Sequence, residues 1–270
     1  MLRFSGIGVS ETGPVRARNE DSAVLAANLV LVADGVGGAA AGDVASATAA
    51  YALERLAVTR PAVEPVQLLR DGLRHALDAL SRTAGSNADQ ANMATTLTAL
   101  FTDGRRVALA HAGDSRAYLF RSGGLSRITT DHTYVQQLVD DGYLQPEAVR
   151  RHPWRHVVTR TLHAGEIPDD ERPEVHELVL VVGDRLLLCS DGLTDAVNDR
   201  RLAQALSIDD AYAVAIRLAE DVRESGAGDN VTFLVVDVVD AAGSPEAGDS
   251  GARDVPQELG ALANYAELLP

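Results

Sequence analysis

No lysine occurs anywhere in the 270 residues; all 24 basic side chains are arginine. That absence excludes chemistries that need an amine: Schiff bases, the P-loop phosphate lysine and the ATP-positioning lysine of protein kinases. Cysteine is nearly absent too. Cys189 stands alone, cannot close an internal disulfide, suits a reducing cytoplasmic interior, and lies inside an apolar strand as a core residue. Apolar runs stop well short of the roughly 18 residues a membrane span needs. The N-terminus MLRFSGIGVSETG has no charged region followed by an apolar one, so no signal peptide is expected. Basic blocks are missing as well, and a formal charge of −15 repels nucleic acid.

What remains is a chain with 46% apolar residues, enough for one large core or at most two smaller ones. Strand-like runs are FSGIGVS, VLAANLVLVAD, TLTALFTD, RVALAHAGD, SRAYLF, ELVLVVGDRLLLCSD and NVTFLVVDVV. Short turns such as Asp103-Gly104 and Gly183-Asp184 read as hairpin links. Helical periodicity covers Gly42 to Val58, Pro65 to Ala84 with Leu68, Leu69, Leu73, Leu77 and Leu80 on one face, and Asp209 to Glu224. Hairpins with long helices between them predict an α+β fold of sheet layers covered by helices.

Two segments stand apart. Residues 131–165 are polar, rich in His and Arg, and read either as a mobile insertion over a site or as a small packed helical pair. From Asp240 onward the composition turns to Gly, Ala, Ser, Pro and acids, with five acids against one Arg in the last 30 residues. The expectation is a domain over 1–239 and a disordered acidic tail over 240–270, with a short helix around Leu259 to Leu268.

The stretch LVLVADGVGG ends an apolar strand in Asp34, and a buried unpaired charge there would be costly. RLLLCSDGL repeats the design with Asp191, VALAHAGDSR ends in Asp114, and GAGDNVTFLVV places Asp229 before a strand instead of after one. In an antiparallel sheet, an acid at one strand's start meets acids at its neighbours' ends. Four carboxylates then converge, each raising its neighbours' pKa at about 1.4 kcal/mol per unit. A divalent cation resolves the conflict, and an oxygen-only ligand set selects Mg²⁺ or Mn²⁺. In VRARNEDS, residues an even number apart share a face if the segment is extended, so Arg16, Arg18 and Glu20 are expected to point the same way. An arginine beside an acidic metal cluster implies an anionic substrate, while a salt bridge within the segment is the blander alternative.

The ordered set RxxNED, ADGxGG, GDSR, SDGL and GDN resembles the metal-dependent serine/threonine protein phosphatases of the PP2C (PPM) family, most closely its bacterial members. The resemblance runs from about Gly6 to Val239. It implies a four-layer αββα sandwich, two antiparallel β-sheets flanked by helices, with two core Mn²⁺ or Mg²⁺ ions and a third, weaker one. By the resemblance Asp34 bridges the core pair, the Gly35 carbonyl binds one ion, and Asp191 with Asp229 binds the other. Glu20 and Asp21 hold metal-bound waters, Arg16 grips the substrate phosphate, Asp114 binds the third ion, and 131–165 overlaps the family's flap. Val36 stands where eukaryotic members carry a histidine, which leaves a metal-bound water, His132 or His152 as proton donor. The implied activity is hydrolysis of phosphoserine and phosphothreonine in proteins by a metal-bridging hydroxide, opposing a Ser/Thr kinase, by a monomer. A phosphatase dedicated to one regulatory partner, of the anti-sigma-factor antagonist type, and a non-catalytic pseudophosphatase are the alternatives; the complete acid set argues against the latter.

Overall fold

The computed structural model describes residues 1–36, 41–168, 171–226, 228–241 and 255–265. In chain order the strands are β1 (Leu2–Glu11), β2 (Asp21–Leu25), β3 (Leu29–Val36), β4 (Ala94–Thr95), β5 (Leu97–Thr102), β6 (Val107–Ala112), β7 (Arg116–Arg121), β8 (Gly124–Arg127), β9 (Leu162–His163), β10 (Glu174–Leu178), β11 (Arg185–Cys189), β12 (Val231–Asp240) and β13 (Gln257–Gly260). The helices are α1 (Gly42–Thr59), α2 (Pro65–Ser86), α3 (Tyr134–Asp140), α4 (Asp191–Ala196), α5 (Asp199–Leu206) and α6 (Ala211–Ser225). No helix among the described residues is long and apolar enough to cross a membrane.

One sheet runs β1-β12-β11-β7-β8 and the other β10-β6-β5-β3-β2-β13, with β4 and β9 attached beside β3. Pairings among the described residues are antiparallel throughout. The alternation of side chains shows how the layers stack. Val30 and Val32 of β3 enter a layer with Leu186, Leu188, Leu234 and Val236 of the facing sheet. Leu29, Leu31 and Ala33, on the other face, pack with Leu53 of α1 and Leu69 of α2. Leu187, Cys189, Phe233 and Val235 likewise meet Leu202 of α5 and Leu218 of α6. Strands covered on both faces must be apolar throughout, which is why these segments read as continuous apolar runs. The architecture is the αββα sandwich that the motifs implied.

Local chemistry sets the helix ends. Pro65 opens α2, and Glu64 before it accepts from the N–H groups of Val66 and Gln67 at 3.0 and 2.8 Å. Asp210 caps α6 at its start, and Gly226 ends it in the left-handed region at φ 69°.

Two expectations are corrected. Gly183-Asp184 is not a hairpin link, because β10 pairs with β6 in one sheet while β11 pairs with β7 and β12 in the other. The segment between them crosses from sheet to sheet. Asp184, nearly fully buried, fixes the crossing by accepting from the Val181 N–H at 2.7 Å and from Arg121 at 2.6 and 2.7 Å. The acidic tail is also not wholly without structure. Gln257–Gly260 forms β13 on the open edge of β2, and a 3₁₀ turn over Ala261–Asn264 takes the place of the expected helix. Ala261 and Leu262 are buried in the layer beneath α1, so a few apolar residues suffice where an edge strand offers unpaired backbone groups. Residues 242–254 and 266–270 of that tail, and Gly37 and Gly38 of the ADGxGG motif, lie outside the described residues.

Candidate metal centre

Asp34 lies in β3 directly across from Asp21, the first residue of β2. The Asp34 N–H donates to Thr96 Oγ1 at 2.9 Å, and its carbonyl accepts from the Thr96 N–H at 2.8 Å. Gly35 follows where no side chain fits: a Cβ there would sit 2.3 Å from the Gly42 carbonyl oxygen. That close approach brings the start of α1 against the strand end. Asp191 opens α4 just after β11, Asp229 stands before β12 with only Asn230 between, and Asp114 sits in the turn between β6 and β7. Asp191, Asp229 and Asp114 therefore meet at the ends of the neighbouring antiparallel strands β11, β12 and β7, as the sequence argument expects, and Asp34 joins them from the facing sheet.

Their charges are felt together. Burial first, then the charges of Asp21, Asp191, Asp114 and Asp229, hold Asp34 well above the ordinary carboxylate range. Burial also pushes Asp21 up to about 7 and Asp114 up to about 8, with Asp191 adding to both. Glu20 is raised by burial and by Asp43, partly offset by Arg16 and Arg18. Asp21 Oδ2 accepts from Ser190 Oγ at 2.9 Å, whereas its buried Oδ1 has no hydrogen-bond partner among the described residues. A buried carboxylate oxygen left without a donor is destabilising, and a hard cation or its water is the group that satisfies it. The donors around it are all oxygen, which fits Mg²⁺ or Mn²⁺.

The 12–20 segment is held by Asn230, whose Nδ2 donates to the carbonyls of Thr12 and Arg18 at 2.7 and 2.9 Å while its Oδ1 accepts the Glu20 N–H at 2.9 Å. Bends at Pro14-Val15 and Ala17-Arg18 interrupt the segment, so the expected common face of Arg16, Arg18 and Glu20 is not present. Arg16 donates to Asp229 at 2.8 Å, and Arg18 pairs with Asp43 at 3.4 Å.

Beside the acids lies a cavity of about 750 Å³. The 131–165 segment forms one wall and residues 191–200 the other, with Asp114 and Asp191 on its lining. Arg150 fastens the segment down by donating to the Thr194 and Asp195 carbonyls at 2.9 and 3.2 Å. Two histidines named from sequence have other duties. His132 Nδ1 accepts the Gly113 N–H at 3.1 Å and its ring stacks on His111, while His152 Nδ1 accepts the Trp154 N–H at 3.2 Å. The histidine at the acids is His156, whose ring nitrogens each lie 3.5 Å from a carboxylate oxygen, of Asp191 and of Asp195. These three form the one group among the described residues whose His, Asp or Glu ligand atoms all lie within 4.8 Å of one another. Sequence reasoning missed His156, Thr96, Ser190 and Asn230; of these, Ser190 and Asn230 stand inside the recognised SDGL and GDN motifs, whereas His156 and Thr96 carried no such signal.

An αββα sandwich with an oxygen-only acid cluster at the shared edge of its sheets defines a cation-centred class of protein. Within that class the chain belongs to the protein phosphatase 2C family, whose model matches residues 16–218. The serine/threonine protein phosphatase PstP of Mycobacterium tuberculosis is 42% identical over 231 residues, 86% of this chain and 44% of that protein. The chain thus spans less than half the length of that relative. The serine/threonine phosphatase stp of Listeria welshimeri is 32% identical over 243 residues, covering 84% of this chain and 93% of that protein. The crystal structure of the PstP catalytic domain with two manganese ions superposes with a TM-score of 0.82 at 40% identity, covering 89% of this chain and all of that one.

Proposed function

We propose that the chain hydrolyses phosphoserine and phosphothreonine in proteins with the help of two Mn²⁺ or Mg²⁺ ions. The observation that carries this reading is the unpartnered, buried Asp21 Oδ1 inside a cluster of acids that raise one another's pKa. Asp34 and the Gly35 carbonyl, with Asp191 and Asp229, are the residues that would hold the core pair, Glu20 and Asp21 would fix its waters, and Asp114 a weaker third ion. Bound there, the ions would lower the pKa of a coordinated water toward neutrality and so supply a hydroxide nucleophile for in-line attack on phosphorus.

The chain's own groups do the rest. Arg16 is engaged with Asp229. With Asp229 engaged as a cation ligand, the Arg16 guanidinium would be free to hold the phosphate by paired hydrogen bonds. The 131–165 segment acts as a flap, walling the cavity in which residues flanking the phosphoamino acid lie. Relatives named as serine/threonine phosphatases support a protein substrate and, with it, opposition to a Ser/Thr kinase. A lone cysteine supports a cytoplasmic setting, and a monomer suffices because one chain supplies the whole acid cluster. The test is release of phosphate from a phosphothreonine peptide by chelator-treated protein. Activity should appear only on adding Mn²⁺ or Mg²⁺; full activity in protein proved metal-free by elemental analysis would overturn the reading.

A further inference from the structure

Strand β13 and the turn after it lie outside the family match over 16–218, yet they reach the candidate centre from behind. β13 pairs with β2 from Gln257 opposite Leu25 to Gly260 opposite Ser22, so it stops beside Asp21. Gly260 takes φ 67° there, and a Cβ on it would lie 2.1 Å from the Asp21 carbonyl oxygen and 3.0 Å from Ser10 Oγ. Only glycine fits that contact. Ser10 Oγ in turn accepts from Asn19 Nδ2 at 2.8 Å.

Beyond Gly260 the chain passes under α1. Ala261 and Leu262 are buried, the Tyr265 ring lies 5.2 Å from that of Tyr51, and its hydroxyl is 3.2 Å from Thr48 Oγ1. The same helix grips the other side of the site. Ser46 Oγ donates to the Glu20 carbonyl at 2.6 Å and sits 2.9 Å from Ser22 Oγ. The segment therefore touches both elements that carry the Glu20-Asp21 corner, β2 on its edge and α1 on its inner face.

We propose that residues 255–265 are an intramolecular clamp that positions the Glu20-Asp21 corner, so that Asp21 is set across from Asp34 for cation binding. This rests on the metal reading above. None of the segment's side chains need touch substrate; they act through the backbone of β2. Outer groups that orient metal ligands typically change affinity 10- to 100-fold when lost.

The test compares the full chain, Gly260→Val and Gln257→Ala, the last altering an exposed residue at the far end of β13. Mn²⁺ binding is measured by titration calorimetry, and amide hydrogen exchange across 20–24 is measured in the metal-free proteins. Gly260→Val should bind Mn²⁺ roughly 10- to 100-fold more weakly and exchange faster across 20–24, with Gln257→Ala matching the parent. A chain ending at residue 254 should show the same loss, and a peptide of residues 255–265 should restore affinity to it. If Gly260→Val or the shortened chain melts lower but binds Mn²⁺ as the parent does, the segment is merely a stabilising strand and the proposal is wrong. If the parent itself takes up no Mn²⁺, the metal reading fails, and unchanged exchange in Gly260→Val would then reject the clamp as well.

Discussion

Replacing Asp21 by asparagine removes a charge from the most enclosed position in the acid cluster and keeps the side chain's shape. Without metal, burial pushes this carboxyl from an ordinary 3.8 to about 7, although the Thr232 and Ser190 hydroxyls pull it down. The folded chain then keeps a proton that the unfolded chain has released. Stability must fall as pH rises from about 4 to about 7 and stay reduced above that. At about 1.4 kcal/mol for each unit, ionised Asp21 weakens the metal-free fold by roughly 2 to 4 kcal/mol at pH 8, the range allowing for protons shared with neighbouring acids. Asp21→Asn should therefore melt higher than the parent at pH 8 in chelator, by about 4 to 16 °C at 2 to 4 °C per kcal/mol. At pH 4 the two should coincide. Added Mn²⁺ should reverse the order, because binding stabilises the parent far more than the variant. Differential scanning calorimetry at pH 4, 6 and 8, with and without Mn²⁺, decides the matter. A variant that melts lower than the parent in chelator at pH 8, and gains as much from Mn²⁺, would refute the electrostatic argument.

Other expectations follow from the same geometry. Arg16→Ala should raise KM for a phosphopeptide roughly 10- to 150-fold with little change in Mn²⁺ affinity, as for loss of one charge-assisted contact; the same effect from Arg18→Ala instead would reassign the role. Asp34→Ala should abolish activity and tight metal binding, whereas Asp114→Ala should lower kcat and leave two ions bound, which metal titration distinguishes. Glu54 on α1 is pushed up to about 7 by burial and by Glu258 of β13, so this pair weakens the fold as pH climbs from about 4.5 through 7. Glu54→Gln should accordingly stabilise the chain by roughly 1 to 3 kcal/mol at pH 8 and not at pH 4, read from denaturant midpoints.

The layers were legible because strands buried on both faces have nowhere to put polar residues, and α2 announces itself by its leucine spacing and its Glu64-Pro65 start. The acids were legible as exceptions to those apolar runs. Partners chosen by tertiary geometry were not. Gly183-Asp184 has the composition of a hairpin turn, but no local signal says which sheet the next strand will join. The stretch around Leu259 reads as a short helix in an acidic tail, and no local signal says that it will instead pair with the open edge of β2. His156 meets Asp191 across 35 positions of chain, a contact created by the way the 131–165 segment packs. Bends at Pro14-Val15 and Ala17-Arg18 undid the alternation assumed for Arg16 and Arg18.

The central claim is that the acids at the shared sheet edge hold a pair of divalent ions. Anomalous diffraction at the manganese edge, from crystals grown with Mn²⁺, tests it most directly. The account predicts two strong peaks among Asp34, Asp191 and Asp229, with Asp21 and Glu20 beside them. Peaks absent there, or confined to His156, Asp191 and Asp195, would contradict it.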